Sequence, residues 1–315
     1  MKVLITGCAG FIGSHLTDRL LAEGYEVVGI DNFNDYYSPA IKEKNISGST
    51  GHKTFRLYRE DILNLKKTRE IFSKEKPEKV IHLAARAGVR ASIANPLLYA
   101  QVNVLGTTNI LAAASEAGVG QFIFGSSSSV YGNSKRLPFS EDDRCENIIS
   151  PYGASKRSAE FFVKVASLQT KMKCVILRFF TVYGPRGRPD MAPALFTKAI
   201  ERGQTLTQFG NGSSSRDYTY IDDIVDGIVK SMGQNLKFAI INLGNSHPVC
   251  LSDFIKTCEK VIGKRARVKK TGRMIGDAER TWADITVAKK LLSWEPKTSL
   301  SDGLASYYKW QRAEN

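Results

Sequence analysis

Several features are missing from this 315-residue chain, and each absence narrows the reading. No stretch reaches about 18 consecutive apolar residues, so no membrane span is expected. The first stretch, MKVLITGCAGFIG, starts as a strand and carries no cleavage-site pattern, which makes a cytosolic protein the expectation. Cysteines number five (Cys8, Cys145, Cys174, Cys250, Cys258), scattered, odd in count and without a CxxC pair. That argues against a disulfide framework or a zinc site. The four histidines are equally dispersed, so no metal cluster is expected.

Acidic residues are also short: 31 against 45 basic ones, for a formal charge of +14. Basic proteins attract polyanions, so nucleic acid has to be weighed. The densest patch, KRARVKK (264–270), alternates around Val268 like a short strand or loop, and a solvated surface explains it better than a nucleic-acid site. A third reading is that the charge favours a small acidic substrate.

Hydrophobic residues make up 42% of the chain, ample for a packed core. Apolar runs at 2–6, 26–30, 54–58, 79–83, 121–124 and 174–179 read as strands. Helical patterns lie among them, at 11–23, 64–74, 96–117 and 152–169. Buried strands separated by helices mean a parallel sheet covered on both faces, so the fold class is α/β, a Rossmann-type doubly wound sheet. Loops dominate 184–193 and 209–217, with helices at about 193–202 and 220–232. A late strand at 238–244 rejoins the sheet, and helices follow near 251–262, 285–292 and 300–312. The expected division is a cofactor domain from 1–179 plus about 220–247, and a smaller substrate-binding lobe from 180–219 and 248–315. There is no internal repeat.

In VLITGCAGFIGSHL, Gly7, Gly10 and Gly13 fall between the first strand and first helix. The first allows a tight turn, the second lets backbone approach a pyrophosphate, and the third lets helix pack on strand. Gly7, Gly10, Phe11, Ile12 and Gly13 are therefore candidate cofactor contacts. Asp31 ends the second strand, where a carboxylate binds a ribose 2′-hydroxyl and repels a 2′-phosphate. Asn32 and Phe33 follow, with no arginine to receive that phosphate, so NAD is favoured over NADP. Asp61 and Ile62 are candidate adenine contacts. His82-Leu83-Ala84-Ala85 would end the fourth strand beside the cofactor. Ordinary strand-end packing explains both pairs equally well.

SPYGASK (150–156) carries Tyr152 and Lys156, four apart and on one helical face, after a capping Ser150 and a first-turn Pro151. A neighbouring ammonium and a cationic nicotinamide ring would both favour phenolate. A phenolate can take the proton of a sugar hydroxyl as hydride leaves the same carbon.

Taken together, TGCAGFIG, HLAA, SSSSVYG, SPYGASK, LRFFTVYGP and RDYTYIDD resemble the extended short-chain dehydrogenase/reductases that act on nucleotide sugars, over almost the whole chain. The resemblance implies catalysis by Tyr152 and Lys156, which also contact the cofactor, with Ser127 as the catalytic hydroxyl. Sugar dehydratases of this family carry Thr-Asp-Glu before Val-Tyr-Gly, and uronate decarboxylases carry Glu directly before it. Ser128 and Ser129 stand there instead, which leaves oxidation and re-reduction: epimerisation. TVYGPRGRPDMA (181–192) and DNFNDYY (31–37) are most similar to UDP-glucuronate 4-epimerases. Arg188 first and Arg90 second are the candidate partners of a uronate carboxylate, with Arg186 beside them where relatives usually carry Trp. For each, a solvated loop cation or a pair with Asp190 is the competing reading. The same resemblance puts Arg216 on the diphosphate, with Arg280 as a further contact unless it pairs with Asp277 or Glu279. Thr181 sits where neutral-sugar epimerases often carry Asn, which supports an acidic sugar. Ser127, Ser128 and Ser129 complete the substrate set. A homodimer through helices 96–117 and 152–169 is implied too. The alternatives are a UDP-glucose 4-epimerase, a UDP-glucuronate decarboxylase, or a non-catalytic cofactor- or nucleic-acid-binding protein.

Overall fold

The computed structural model describes residues 1–272 and 278–314. Among the described residues twelve strands form, β1 (Lys2–Thr6), β2 (Glu26–Ile30), β3 (Phe55–Tyr58), β4 (Lys79–His82), β5 (Gln121–Ser127), β6 (Lys173–Phe179), β7 (Thr181–Tyr183), β8 (Thr205–Phe209), β9 (Ser215–Tyr220), β10 (Phe238–Leu243), β11 (Pro248–Cys250) and β12 (Arg267–Thr271). Seven of them make one sheet in the order β10-β6-β5-β4-β1-β2-β3, every pair parallel. The chain enters at β1, winds outward to β3, then returns to β4 on the other side. The order therefore reverses between β1 and β4, where doubly wound sheets open a crevice at the strands' C-terminal ends.

Period-2 alternation builds a core on each face of this sheet. Val3, Ile5, Ile123, Val175 and Leu177 pack into one cluster. Their chain neighbours Leu4, Phe122, Phe124, Cys174 and Ile176 pack into the other. All seven residues of β5 are buried, as a central parallel strand requires.

The helices are α1 (Phe11–Ala22), α2 (Pro39–Thr50), α3 (Leu65–Glu75), α4 (Val89–Ala94), α5 (Pro96–Tyr99), α6 (Gly106–Glu116), α7 (Pro151–Gln169), α8 (Ala192–Glu201), α9 (Ile221–Met232), α10 (Leu251–Ile262), α11 (Thr286–Leu292) and α12 (Leu300–Glu314). Helix α1 packs beside α9, and α3, α6 and α7 line up side by side. The helix expected at 96–117 is interrupted: a π-helical turn, Ala100–Leu105, joins α5 to α6 and turns Asn103 into the core. This run has the length and hydropathy of a membrane span, but half of it is buried against the rest of the protein, as in a core helix.

Sequence periodicity misses α2 because its buried face is Lys42, Asn45, Ile46 and Ser49, one apolar residue among polar ones. The short strands β7, β9 and β11 form a second sheet, and β8 pairs with β12, which carries the exposed basic run. With three to six residues each, they carry too little alternation to stand out from loop.

Candidate active site

A cleft of about 480 Å³ opens at the C-terminal ends of β1, β4 and β5. At its floor the β1–α1 turn is shaped by glycine. Gly7 sits at φ +73°, and a Cβ there would lie 2.8 Å from the Ala84 nitrogen at the end of β4. A Cβ on Gly13 would lie 2.0 Å from the Gly7 carbonyl oxygen. Gly10 is the N-cap of α1, and no side chain among the described residues caps that helix. Its first-turn N–H groups therefore face the cleft without a competing acceptor, a fitting cradle for a pyrophosphate.

Phe11, Ile12, Gly7, Gly10 and Gly13 all line the cleft, as do Asp31, Asn32, Asp61, Ile62, Leu83, Ala84 and Ala85. Asp31 is buried at the end of β2 and accepts from the Ala9 N–H at 3.1 Å and the Phe33 N–H at 2.9 Å. Burial pushes its carboxyl up from the ordinary value, against the pull of those N–H groups and of Lys42. Lys42 also lines this end; its ammonium donates to the Asn34 carbonyl at 2.7 Å and lies over the Tyr37 ring. The amide of Asn32 donates to Asp61 at 2.7 Å, tying the two cofactor-side loops together.

Across the cleft, Tyr152 stands in the first turn of α7, which Ser150 caps by accepting from the Gly153 N–H at 3.1 Å. Burial raises the Tyr152 pKa, while the Ser127 hydroxyl and the charge of Arg188 oppose the rise. Ser127 ends β5 and also accepts from the Ser129 N–H at 3.1 Å. Lys156 is buried, donates to the Gly125 carbonyl at 2.7 Å and lies over the Phe124 ring. Burial lowers its pKa to about 7, with Glu160 pulling the other way. Arg188 thus lends its charge to the phenol, while Lys156 is anchored to the strand below it.

Ser128, Ser129, Thr181, Arg188 and Arg216 line the substrate end. Arg188 holds Asp190 in a two-pronged pair, Nε–Oδ1 3.0 Å and Nη2–Oδ2 2.8 Å, and its guanidinium lies over Tyr36. Burial works against its charge, yet the Asp190 pair keeps its pKa above the ordinary value. The Arg216 Nη1 donates to the Ser215 carbonyl at 2.9 Å.

Three other arginines do not line the cleft. Arg90, expected to converge here, is exposed on α4 with its guanidinium over Phe209. Arg186 adopts φ +60°, and its Nη1 donates to Asp18 on α1 at 2.7 Å, away from the sugar end. Arg280 is exposed with its backbone bridged to Ser215; the cleft wall beside it is Ala278 and Thr281. Of its suggested ion-pair partners, Asp277 lies outside the described residues. Instead Arg86, directly after His82-Leu83-Ala84-Ala85, reaches the cleft with Nη1 on the Asn34 side chain at 3.2 Å. Its place at the strand end was the available signal. Tyr36 reaches the cleft from the loop before α2, and no spacing in the sequence points there.

The family model described as GDP-mannose 4,6 dehydratase matches residues 4–307. A UDP-glucuronate 4-epimerase of Thermodesulfobacterium geofontis is 40% identical over 310 residues, covering 98% of this chain and 95% of that protein. The UDP-glucuronic acid 4-epimerase of Bacillus cereus, solved with UDP-glucuronic acid and NAD, superposes with a TM-score of 0.95 at 38% identity, over 100% of both chains. A UDP-glucose 4-epimerase of Thermotoga maritima, solved with UDP-glucose, gives 0.91 at 32%, over 100% of this chain and 99% of that one. With the family model matching residues 4–307 and relatives aligned over nearly the whole chain, the chain belongs to the GDP-mannose 4,6 dehydratase family of extended short-chain dehydrogenase/reductases.

Proposed function

We propose that this protein is an NAD-dependent isomerase that interconverts UDP-glucuronate and UDP-galacturonate at C4 through a transient 4-keto sugar. One observation carries the choice of reaction. The strand tip facing Tyr152 offers only hydroxyls, Ser127, Ser128 and Ser129, beside Arg188 in the same cleft. A dehydration needs a carboxylic acid at such a tip, and serine cannot supply one. The comparisons support the reading, since relatives named for this activity align over nearly the whole chain.

Held at the glycine turn and Asp31, NAD would supply the hydride acceptor and donor. Tyr152 takes the C4 hydroxyl proton and later gives it back. Ser127 hydrogen-bonds the reacting oxygen. Lys156 binds the cofactor ribose, and Arg188 together with the positive cofactor favours the phenolate. Arg216 meets the diphosphate. Asp31 selects the 2′-hydroxyl over a 2′-phosphate. Residues 1–179 and about 220–247 carry the cofactor, and 180–219 with 248–315 carry the sugar nucleotide.

The 4-keto uronate is a β-keto acid, which can lose CO2. Arg188 holds its carboxylate so that the C–C bond is poorly aligned with the ketone. The test incubates purified protein with UDP-glucuronate or UDP-glucose and reads products by NMR. UDP-galacturonate is expected from the uronate; preferential turnover of UDP-glucose overturns the acid-sugar reading. Arg188→Ala should slow epimerisation and raise pentose release. Unchanged values for both would remove Arg188 from this role.

A homodimer is part of the proposal. Phe161, Val165 and Leu168 recur on one face of α7, and Leu97 and Leu105 stand on the neighbouring run; Leu97 and Leu168 are 75% and 73% exposed. A second copy would cover this apolar face. Cytoplasmic location is proposed as well, because all five cysteines are unpaired thiols.

A further inference from the structure

Ser126 is the serine of the run that the reaction leaves without a task. It is buried, and its hydroxyl donates to Glu160 Oε1 at 2.6 Å. Glu160 is itself buried on α7 and takes Arg178 in a two-pronged pair, Nε–Oε1 2.9 Å and Nη2–Oε2 2.8 Å. Arg157 adds a third cationic contact at 2.8 Å. Ser126 and Arg178 are register partners on β5 and β6, so both strands present their ligand to one carboxylate.

The pattern continues along the helix. Tyr152, Lys156 and Glu160 recur every fourth residue on one face of α7. The β5 tip meets each of them: Ser127 meets Tyr152, the Gly125 carbonyl accepts from Lys156 at 2.7 Å, and Ser126 binds Glu160.

We propose that Glu160, held by Arg178 and Ser126, is a positioning residue that locks the β5 tip onto α7 and keeps Lys156 an ammonium. The second part follows from charge. Without Glu160, the burial that disfavours the Lys156 ammonium would lose the carboxylate that opposes it, which favours the neutral form. The other groups facing Lys156 cannot substitute. Tyr152 is on its own helix, and burial disfavours its charged form. From β5 come the Gly125 carbonyl and Phe124 ring. From β4 comes His82, held neutral by burial and by Lys156 itself, with its pKa near 3. Glu160 is the group that raises the Lys156 pKa against the burial that lowers it to about 7.

The proposal rests on the reading that Lys156 binds the cofactor ribose, so the readout is NAD affinity, which needs no sugar. NAD dissociation constants are measured by calorimetry across about pH 6–9 for wild type, Glu160→Gln and Ser126→Ala. Wild-type affinity should fall as pH rises through the Lys156 pKa near 7. In Glu160→Gln that midpoint should move down by about one pH unit, and above the wild-type midpoint NAD should bind up to about tenfold more weakly. Ser126→Ala keeps every charge, so its midpoint should stay while epimerisation slows. Should Glu160→Gln fail to fold around an unpaired Arg178, Glu160→Gln/Arg178→Met removes both charges together and should show a midpoint lowered by less than in Glu160→Gln, since the cation that opposes Lys156 goes with the carboxylate. Coincident midpoints in wild type and a folded Glu160 variant overturn the proposal. So does wild-type affinity that ignores pH in this range, or a variant whose affinity drops uniformly. Failure of the wild type to turn over UDP-glucuronate would instead overturn the substrate assignment alone.

Discussion

Gly10 and Gly13 sit three residues apart in one turn, yet alanine should harm them in different ways. A Cβ on Gly13 would lie 2.0 Å from the Gly7 oxygen, 2.8 Å from the Gly7 carbonyl carbon and 2.9 Å from Cys8 Cα. All three are backbone atoms, so no side chain can swing aside. A Cβ on Gly10 meets that same oxygen at 3.2 Å and nothing else within 4 Å. The turn would thus have to retreat about 1.2 Å, the difference between these two distances, before Gly13→Ala became as comfortable as Gly10→Ala. Overpacking of this kind costs about 1–3 kcal/mol, and the strain falls on the segment that cradles the pyrophosphate. Gly13→Ala should lose both thermal stability and NAD affinity. Gly10→Ala should melt close to wild type, since its methyl stands in the open cleft. The same methyl occupies the approach of the pyrophosphate, so NAD should bind about tenfold to a hundredfold more weakly, from a similar overpacking cost. Differential scanning calorimetry and NAD titration of both variants decide it. A Gly10→Ala protein that binds NAD like wild type, or a Gly13→Ala protein that melts like wild type, would refute the assignment of the turn.

Three further outcomes are expected. Asp31→Ser removes the carboxylate that repels a 2′-phosphate and leaves the buried Lys42 nearby to receive one, so the preference for NAD over NADP should fall at least about tenfold; an unchanged ratio in parallel titrations would contradict this. Tyr131→Phe deletes the hydroxyl that donates to Asn242 at 2.7 Å inside the core, and the orphaned acceptor should cost about 1–3 kcal/mol in denaturant unfolding. Leu168→Glu places a charge on the exposed face of α7 and should convert a dimer to monomers in sedimentation, with no loss of folded structure; a wild-type monomer, or a dimeric variant, would show that the face is used otherwise.

Much was legible from the residues alone. Buried strands such as β5 announce themselves as apolar runs because both their faces are covered. The glycine turn, Asp31 and the Tyr152–Lys156 pair are local patterns whose spacing already encodes their geometry. Local chemistry also marked the serine run as the deciding feature, since a hydroxyl differs from a carboxylate wherever the strand points.

Only the tertiary structure could sort the arginines. Arg86 and Arg90 are four residues apart in one segment, and the turn into α4 sends one to the cleft and the other to Phe209. Arg186 and Arg188 differ by a positive φ that swings Arg186 to Asp18, while Arg188 stays with Asp190 and Tyr36. Lys42 reaches the site from α2, whose buried face is mostly polar, so no apolar period gave it away, and Tyr36 reaches it from the loop before that helix. The pairing of Ser126 and Arg178 on Glu160 spans 34 and 18 residues of sequence and exists because β5 and β6 are in register. Side-chain chemistry is written in the sequence, but the direction in which a long cation points is set by backbone dihedrals and by whichever distant carboxylate the fold brings within reach.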